Sequence, residues 1–278
     1  MDLSWLQSLI LGFVSGLTDI LPVCAQAHKA VLLKMFGTDV EPPIMRLLIH
    51  IATLAALYYC CRSQISRIQR QLKLAKVPKK RRKRPVDMRT ILDFRLLRTM
   101  MIPLVIGYLF YMKTSVWNTS LNWIALFVLV NAVVLYLPVL LPTGNKDSRS
   151  MSRLEGVMVG FGGALSVLPG ISSMGAMNAA GSLCGGERTY VLNMSLLMQM
   201  AVTVLLIVFD IVMLLDLGAG TISFAILVSY LISAAAAFLG VFLGVRVMRT
   251  LAANIGFNGF AYYSLGLALF TFILYLQA

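Results

Sequence analysis

Apolar residues run along this chain in long blocks that contain few charges, and short polar stretches separate the blocks. A transmembrane helix needs roughly 20 consecutive, mostly apolar residues. Blocks near that length cover about 44–61, 122–142, 190–216, 221–245 and 255–277, and a shorter block covers about 99–112. The pattern therefore predicts about six transmembrane helices.

Two further apolar blocks, about 3–35 and 154–184, are long enough to cross a bilayer but are interrupted by Pro, Gly, Ser and Gln. Irregular backbone of this kind is tolerated at membrane depth only where protein or a water-filled cavity satisfies its polar groups. We therefore predict that both blocks form re-entrant helical hairpins.

The two interrupted blocks also share a pattern about half the chain apart. Each block contains a Gly-Phe dipeptide followed at a similar distance by a Leu-Pro dipeptide. In the first block these are Gly12-Phe13 and Leu21-Pro22, and in the second they are Gly160-Phe161 and Leu168-Pro169. Such a repeat is typical of a membrane protein built from two copies of one unit, with its site at the breaks.

Composition and charge agree with a membrane protein and argue against a nucleic-acid partner. Of the 278 residues, 59% are hydrophobic and only 13% are charged. The net charge is +13, but fourteen of the 24 Lys and Arg residues fall between Arg62 and Arg98. Because Lys and Arg concentrate in cytoplasmic loops, we predict that 62–98 is a basic loop facing the cytosol.

The orientation of every other segment follows from that loop by parity. The first hairpin would enter and leave from outside, the second from the cytosol, with an uncharged outer turn near 218–220 and both termini outside. The expected fold is one all-α integral membrane domain over 1–278 with inverted topology. Repeat 1 would cover about 1–142 and repeat 2 about 153–278.

Four stretches carry a resemblance to a known family. The first runs from Leu9 to Val23 and continues as Cys24-Ala25-Gln26-Ala27-His28. The others are 168–176 (LPGISSMGA), 48–54 (LIHIATL) and 259–263 (GFAYY). In this order they resemble the undecaprenyl-pyrophosphate phosphatases, the bacitracin-resistance type of membrane enzyme. The resemblance implies hydrolysis of a polyprenyl pyrophosphate carrier lipid in the recycling of cell-wall precursors, in a bacterial plasma membrane.

The chain departs from that family at the chemical positions. The family has Glu or Gln at one position and Glu four residues later, whereas this chain has Ser15 and Asp19 there. In place of the family's Ser-rich loop, this chain has Cys24-Ala25-Gln26. Arginines of the family are replaced by Ser173 and Ser264. An arginine provides a bidentate fork for phosphate that serine cannot reproduce. The chain thus resembles a divergent member of that family with degenerate catalytic motifs, and hydrolysis is an open question.

The candidate site joins residues of both breaks. We expect Asp19 and His28 to be catalytic, and the substrate to be bound by Ser15, Gln26, Lys29, Gly170, Ser172, Ser173 and Gly175. The reason for the last four is that unpaired amides and the dipole at a helix start favour phosphate. Lys29 would replace part of the missing arginine charge; the alternative is that it extends to the outer interface.

Three other polar residues, His50, Asp210 and Asp216, are expected to have structural roles. His50 has no acidic residue nearby in sequence and is expected to be a packing or lining residue. Asp210 and Asp216 flank the outer end of a span and are expected at the interface. The family resemblance implies Mg²⁺ or Ca²⁺ as a helper to pyrophosphate chemistry.

Three functions remain open from the sequence. The protein is a phosphatase with a rearranged site, a catalytically silent protein that binds or flips polyprenyl phosphate, or a scaffold that retains only the fold. The expected partners are a polyprenyl phosphate or pyrophosphate lipid and the membrane, with a homo-oligomer also compatible with the pattern, and no nucleic acid.

Overall fold

The computed structural model describes residues 3–38, 40–82, 84–114, 120–217, 223–254 and 257–277. Eleven α-helices lie in these ranges. They are α1 (Trp5–Ile20), α2 (Ala25–Met35), α3 (Pro43–Lys76), α4 (Met88–Tyr108), α5 (Tyr111–Thr114), α6 (Leu121–Tyr136), α7 (Arg153–Ala164), α8 (Ser173–Leu183), α9 (Arg188–Leu217), α10 (Phe224–Asn254) and α11 (Gly259–Gln277). The prediction of an all-α membrane protein is confirmed.

Five of these helices are long and apolar enough to cross a membrane: α3, α6 with its 3-10 extension, α9, α10 and α11. The sixth predicted span corresponds to α4, which contains Pro103 and carries several charges in its first half. The predicted outer turn near 218–220 lies outside the described residues.

The basic loop is much shorter than the sequence predicted. Instead of a loop over 62–98, α3 continues to Lys76 and α4 begins at Met88. Arg, Lys, Gln and Leu are good helix formers, so a helix can continue after its apolar block has ended. The Asp87 carboxylate then caps α4 by accepting a hydrogen bond from the Arg89 N–H at 3.0 Å.

The two hairpins are built in the same way. In the first, α1 ends before Pro22, which cannot continue the helix, and α2 begins at Ala25. Ser4 caps α1 and Ser152 caps α7, each in a capping box with the residue three positions on. The same start signal therefore precedes both hairpins.

Packing between the halves is reciprocal. Helix α1 packs on α10 and α7 packs on α4, while α3 packs on α9 and α6 on α11. A Cβ at Gly12 would collide with the backbone carbonyl of Ser233, and a Cβ at Gly160 with that of Met100. Small residues of this kind allow close approach of membrane helices. Two copies of one unit related by a two-fold axis would produce such contacts; the boundaries of the copies remain a prediction.

Candidate functional site

A cavity of about 370 Å³ lies beside the two hairpin turns. It is bordered by the end of α1, the start of α2, the start of α3 and the last turns of α9. Its charged lining within the described residues is balanced, with three cations and three carboxylates besides His50: Lys29, Lys34, Arg46, Asp19, Glu41 and Asp210. The formal charges of these six side chains therefore cancel.

The hairpin turns meet at the cavity wall through α9. Gln199 donates from Nε2 to Asp19 Oδ2 at 3.2 Å, and its Oε1 accepts from the Ser173 hydroxyl at 2.6 Å. The Ser172 hydroxyl donates to the backbone carbonyl of Leu21 at 3.3 Å. Asp19, Ser172 and Ser173, predicted from distant parts of the sequence, thus share one wall.

Lys29 lies on the cavity wall one turn into α2. Its Nζ is 2.8 Å from Glu41 Oε2, and the two side chains are only 12% and 8% exposed. Lys29 is therefore buried against a carboxylate, and the alternative that it extends to the interface is wrong. The sequence did not indicate Glu41, which follows α2 in the connection to α3.

A second buried ionic cluster joins α3 to α9. Arg46 Nε donates to Asp210 Oδ1 at 2.7 Å, and His50 Nδ1 donates to Asp210 Oδ2 at 2.5 Å. The Asp210 side chain is 4% exposed, so its predicted interfacial position is wrong. His50 lines the cavity as one alternative predicted, but it has an acidic partner 160 residues away, which no local pattern could indicate.

His28 is positioned differently from the other candidates. Its Nδ1 bonds to the Cys24 backbone carbonyl and its Nε2 to the Tyr263 hydroxyl, both at 2.7 Å. The two rings also stack, with centroids 5.7 Å apart. His28 is not among the residues that line the cavity; instead it ties α2 to α11.

The two helix starts at the breaks differ in their free donors. At α8 the Gly175 N–H donates to the Ser172 hydroxyl at 3.1 Å, and the Ser172 N–H donates to Asn131 Oδ1 at 3.0 Å. Two of the amides expected to bind phosphate are therefore already used. Helix α2 begins at the cavity, and no described side chain forms a cap hydrogen bond to it. Its first-turn N–H groups have no backbone partner within the helix, which favours an anion there.

The remaining predicted binding residues are spread over three places. Gln26 lines the cavity, and its Oε1 is buried without a hydrogen-bond partner in the described residues. Ser15 is buried in α1 and does not line the cavity. Gly170 has a φ of 119°, a left-handed value that favours glycine, and it packs against α6.

A second, smaller cavity of about 90 Å³ lies on the other side of the hairpin turns. Pro22 and Gly175 line it, whereas Val23 and Ser173 line the large cavity. Arg188 at the start of α9 also contributes to the small cavity. The hairpin turns therefore separate two chambers, and Gly175 faces the chamber away from the charged cluster.

The charged residues that the structure describes around the cavity do not form a cage for a divalent cation. In the described part of the chain, no group of three His, Cys, Asp or Glu side chains is close enough to hold a metal ion. Both oxygens of Asp210 accept from Arg46 and His50, and Glu41 is paired with Lys29. These residues do not fit a resident Mg²⁺ or Ca²⁺.

Comparison with known proteins gives a consistent result over nearly the whole chain. The family model described as bacitracin resistance protein BacA matches residues 8–270. An undecaprenyl-diphosphatase of Thermosipho melanesiensis is 27% identical over 271 residues, covering 96% of this chain and 98% of the relative. An undecaprenyl-diphosphatase of Methanobrevibacter smithii is 27% identical over 266 residues and covers 93% of both chains.

Proposed function

This chain belongs to the bacitracin resistance protein BacA family, and from that premise we propose that it acts on undecaprenyl pyrophosphate or a similar polyprenyl pyrophosphate. The reaction would release inorganic phosphate and leave the lipid monophosphate, as in the recycling of a cell-wall carrier lipid. The observation that carries the proposal is the charged cavity beside the hairpin turns, in a protein of long apolar helices.

The headgroup would lie where α2 begins. The N–H groups of the first turn of α2 and the helix dipole favour an anion, and Lys29 and Arg46 supply positive charge on the same cavity. These two cations would take over the role of the arginine that Ser173 replaces. Since Glu41 and Asp210 already pair with these cations, a bound phosphate would share Lys29 and Arg46 with the two carboxylates.

The cavity would open toward the outer face of a bacterial plasma membrane. It lies at the Pro43 end of α3, whereas the basic residues lie at the Lys76 end and continue to Met88. If the basic end is cytosolic, the cavity faces outward and both termini are outside. Cysteines introduced at Lys73 and Lys113 would test this, because an impermeant maleimide should label only Lys113→Cys in intact cells.

Phosphate release by the purified protein tests the function directly. Undecaprenyl pyrophosphate in detergent should yield inorganic phosphate, and Asp19→Asn and Arg46→Met should each slow that release strongly. His28→Gln tests whether the family histidine position is still used. Lys73→Gln, on the exposed extension of α3, is a matched control for a lost cation. No release, or release that Asp19→Asn and Arg46→Met leave unchanged, would refute a phosphatase at this cavity.

The small cavity favours a second candidate, a protein that moves the lipid phosphate without hydrolysis. Two chambers separated by hairpin turns are what alternating access between two faces requires. In proteoliposomes this function predicts protein-dependent movement of polyprenyl phosphate between leaflets with no phosphate release. A scaffold would neither bind nor move the lipid.

A further inference from the structure

The Arg46–Asp210–His50 cluster has the arrangement of a proton-transfer site. His50 projects from α3 into the cavity wall, Asp210 comes from α9, and Arg46 lies one helical turn before His50. The His50 and Asp210 side chains are 13% and 4% exposed. A hydrogen bond from Nδ1 to a buried carboxylate commonly holds a histidine ring in one orientation.

The hydrogen bonds define the proton positions on His50. A carboxylate only accepts, so Nδ1 carries the proton in its bond to Asp210. The other oxygen of Asp210 accepts from the Arg46 guanidinium, which already balances the carboxylate charge. In the tautomer that carries its proton on Nδ1, His50 has its lone pair on Nε2. No side chain in the described ranges hydrogen-bonds to that nitrogen.

His28 has no comparable lone pair. The Cys24 carbonyl also only accepts, so His28 Nδ1 carries a proton there, and Nε2 accepts from the Tyr263 hydroxyl. Both ring nitrogens are thus occupied within the protein. Of the two histidines in this chain, His50 is the one that lines the cavity together with Asp19 and Lys29.

We propose that His50 is the general base of the reaction in this cavity, with Asp210 and Arg46 as its positioning residues; the proposal rests on the phosphatase function. A water oxygen forms a bond to the terminal phosphorus, while one proton of that water passes to His50 Nε2. The bond between this phosphorus and the bridging oxygen breaks, and its electron pair stays on the lipid phosphate. Inorganic phosphate leaves, and His50 returns its proton to solvent.

Kinetics of three variants in the full-length protein test the assignment. His50→Gln keeps an amide that can donate to Asp210 but loses the basic lone pair. Because general base catalysis contributes about 10²–10⁴-fold, its kcat should fall by that range with KM nearly unchanged. Asp210→Asn should also lower kcat more than it raises KM, whereas His28→Gln should cause a smaller loss than His50→Gln. Lys73→Gln, on the same helix, controls for substitution by glutamine.

The outcomes separate this proposal from the function on which it rests. If the wild type releases phosphate and folded His50→Gln retains at least a third of its kcat, His50 is not the base but the phosphatase function survives. A loss of activity confined to His28→Gln would likewise exclude His50 as the base. If the wild type releases none, both proposals fail. A folded His50→Gln that binds undecaprenyl monophosphate as the wild type does, yet turns over at least about 100-fold more slowly, supports the assignment.

Discussion

Glu41→Gln should increase the affinity for lipid phosphate, because it frees the Lys29 ammonium from its buried partner. The two charges are 2.8 Å apart and both side chains are largely buried. Coulomb's law gives about 6 kcal/mol for that separation at an effective dielectric constant of about 20. Recovering a quarter of this energy, about 1.5 kcal/mol, would raise the affinity roughly tenfold.

The same substitution should weaken the ligand-free protein. Removing one partner of a buried pair leaves an uncompensated charge and costs about 3–5 kcal/mol. We therefore expect Glu41→Gln to melt at lower temperature without ligand and to regain stability when undecaprenyl monophosphate is added. The bound phosphate would take the place of the missing carboxylate.

Titration of undecaprenyl monophosphate in detergent, followed by microscale thermophoresis and by thermal melting, measures both effects. Asp216→Asn removes one negative charge from an exposed site at the end of α9 and is the matched control. Lys29→Met should bind the lipid at least tenfold more weakly than the wild type. If Glu41→Gln binds no more tightly than Asp216→Asn, Lys29 does not contact the ligand and the reasoning fails.

Three further predictions concern the scaffold. Gly160→Val would press a side chain into the backbone of α4 and should destabilise the fold by about 1–3 kcal/mol in thermal melting, whereas Gly266→Val, with open space around it, should change much less. Ser172→Ala removes the N-cap of α8 and should cost about 1 kcal/mol, and an unchanged melting temperature would contradict this role. The backbone N–H of Arg149 donates to the Asp147 carboxylate and lowers the pKa of that carboxyl group. The ionised Asp147 therefore stabilises the fold above the ordinary aspartate pKa of about 3.9, and this stabilisation is lost as the pH falls through the lowered pKa. Melting temperatures of Asp147→Asn measured against pH should lack that loss in acid.

Much of the fold follows from local pattern. The apolar blocks predicted the membrane class and the long spans, and the breaks at Pro22 and Pro169 lie at the turns of real hairpins. The predicted extent of the basic loop was wrong, because hydropathy shows where a helix leaves an apolar environment and not where its backbone hydrogen bonding ends. Residues of high helix propensity extend α3 to Lys76.

The site was only partly predictable. Asp19, Lys29, Ser172 and Ser173 were identified from the motifs and do line the cavity. The family pattern also drew attention to His28, whose nitrogens are both engaged by backbone and Tyr263. The resemblance marks a position in the chain, but the chemical role of a histidine depends on which of its nitrogens remains free.

The sequence by itself determined the membrane class, the helical segments and the two breaks, because length, hydropathy and Pro or Gly act over a few residues. Only the tertiary structure decided which charges are partners. Arg46 and Asp210 are 164 residues apart, and their pairing depends on α3 and α9 packing side by side. The energy of burying an ion depends on its neighbours in space, so the charge balance of this cavity emerges only when both helices are in place.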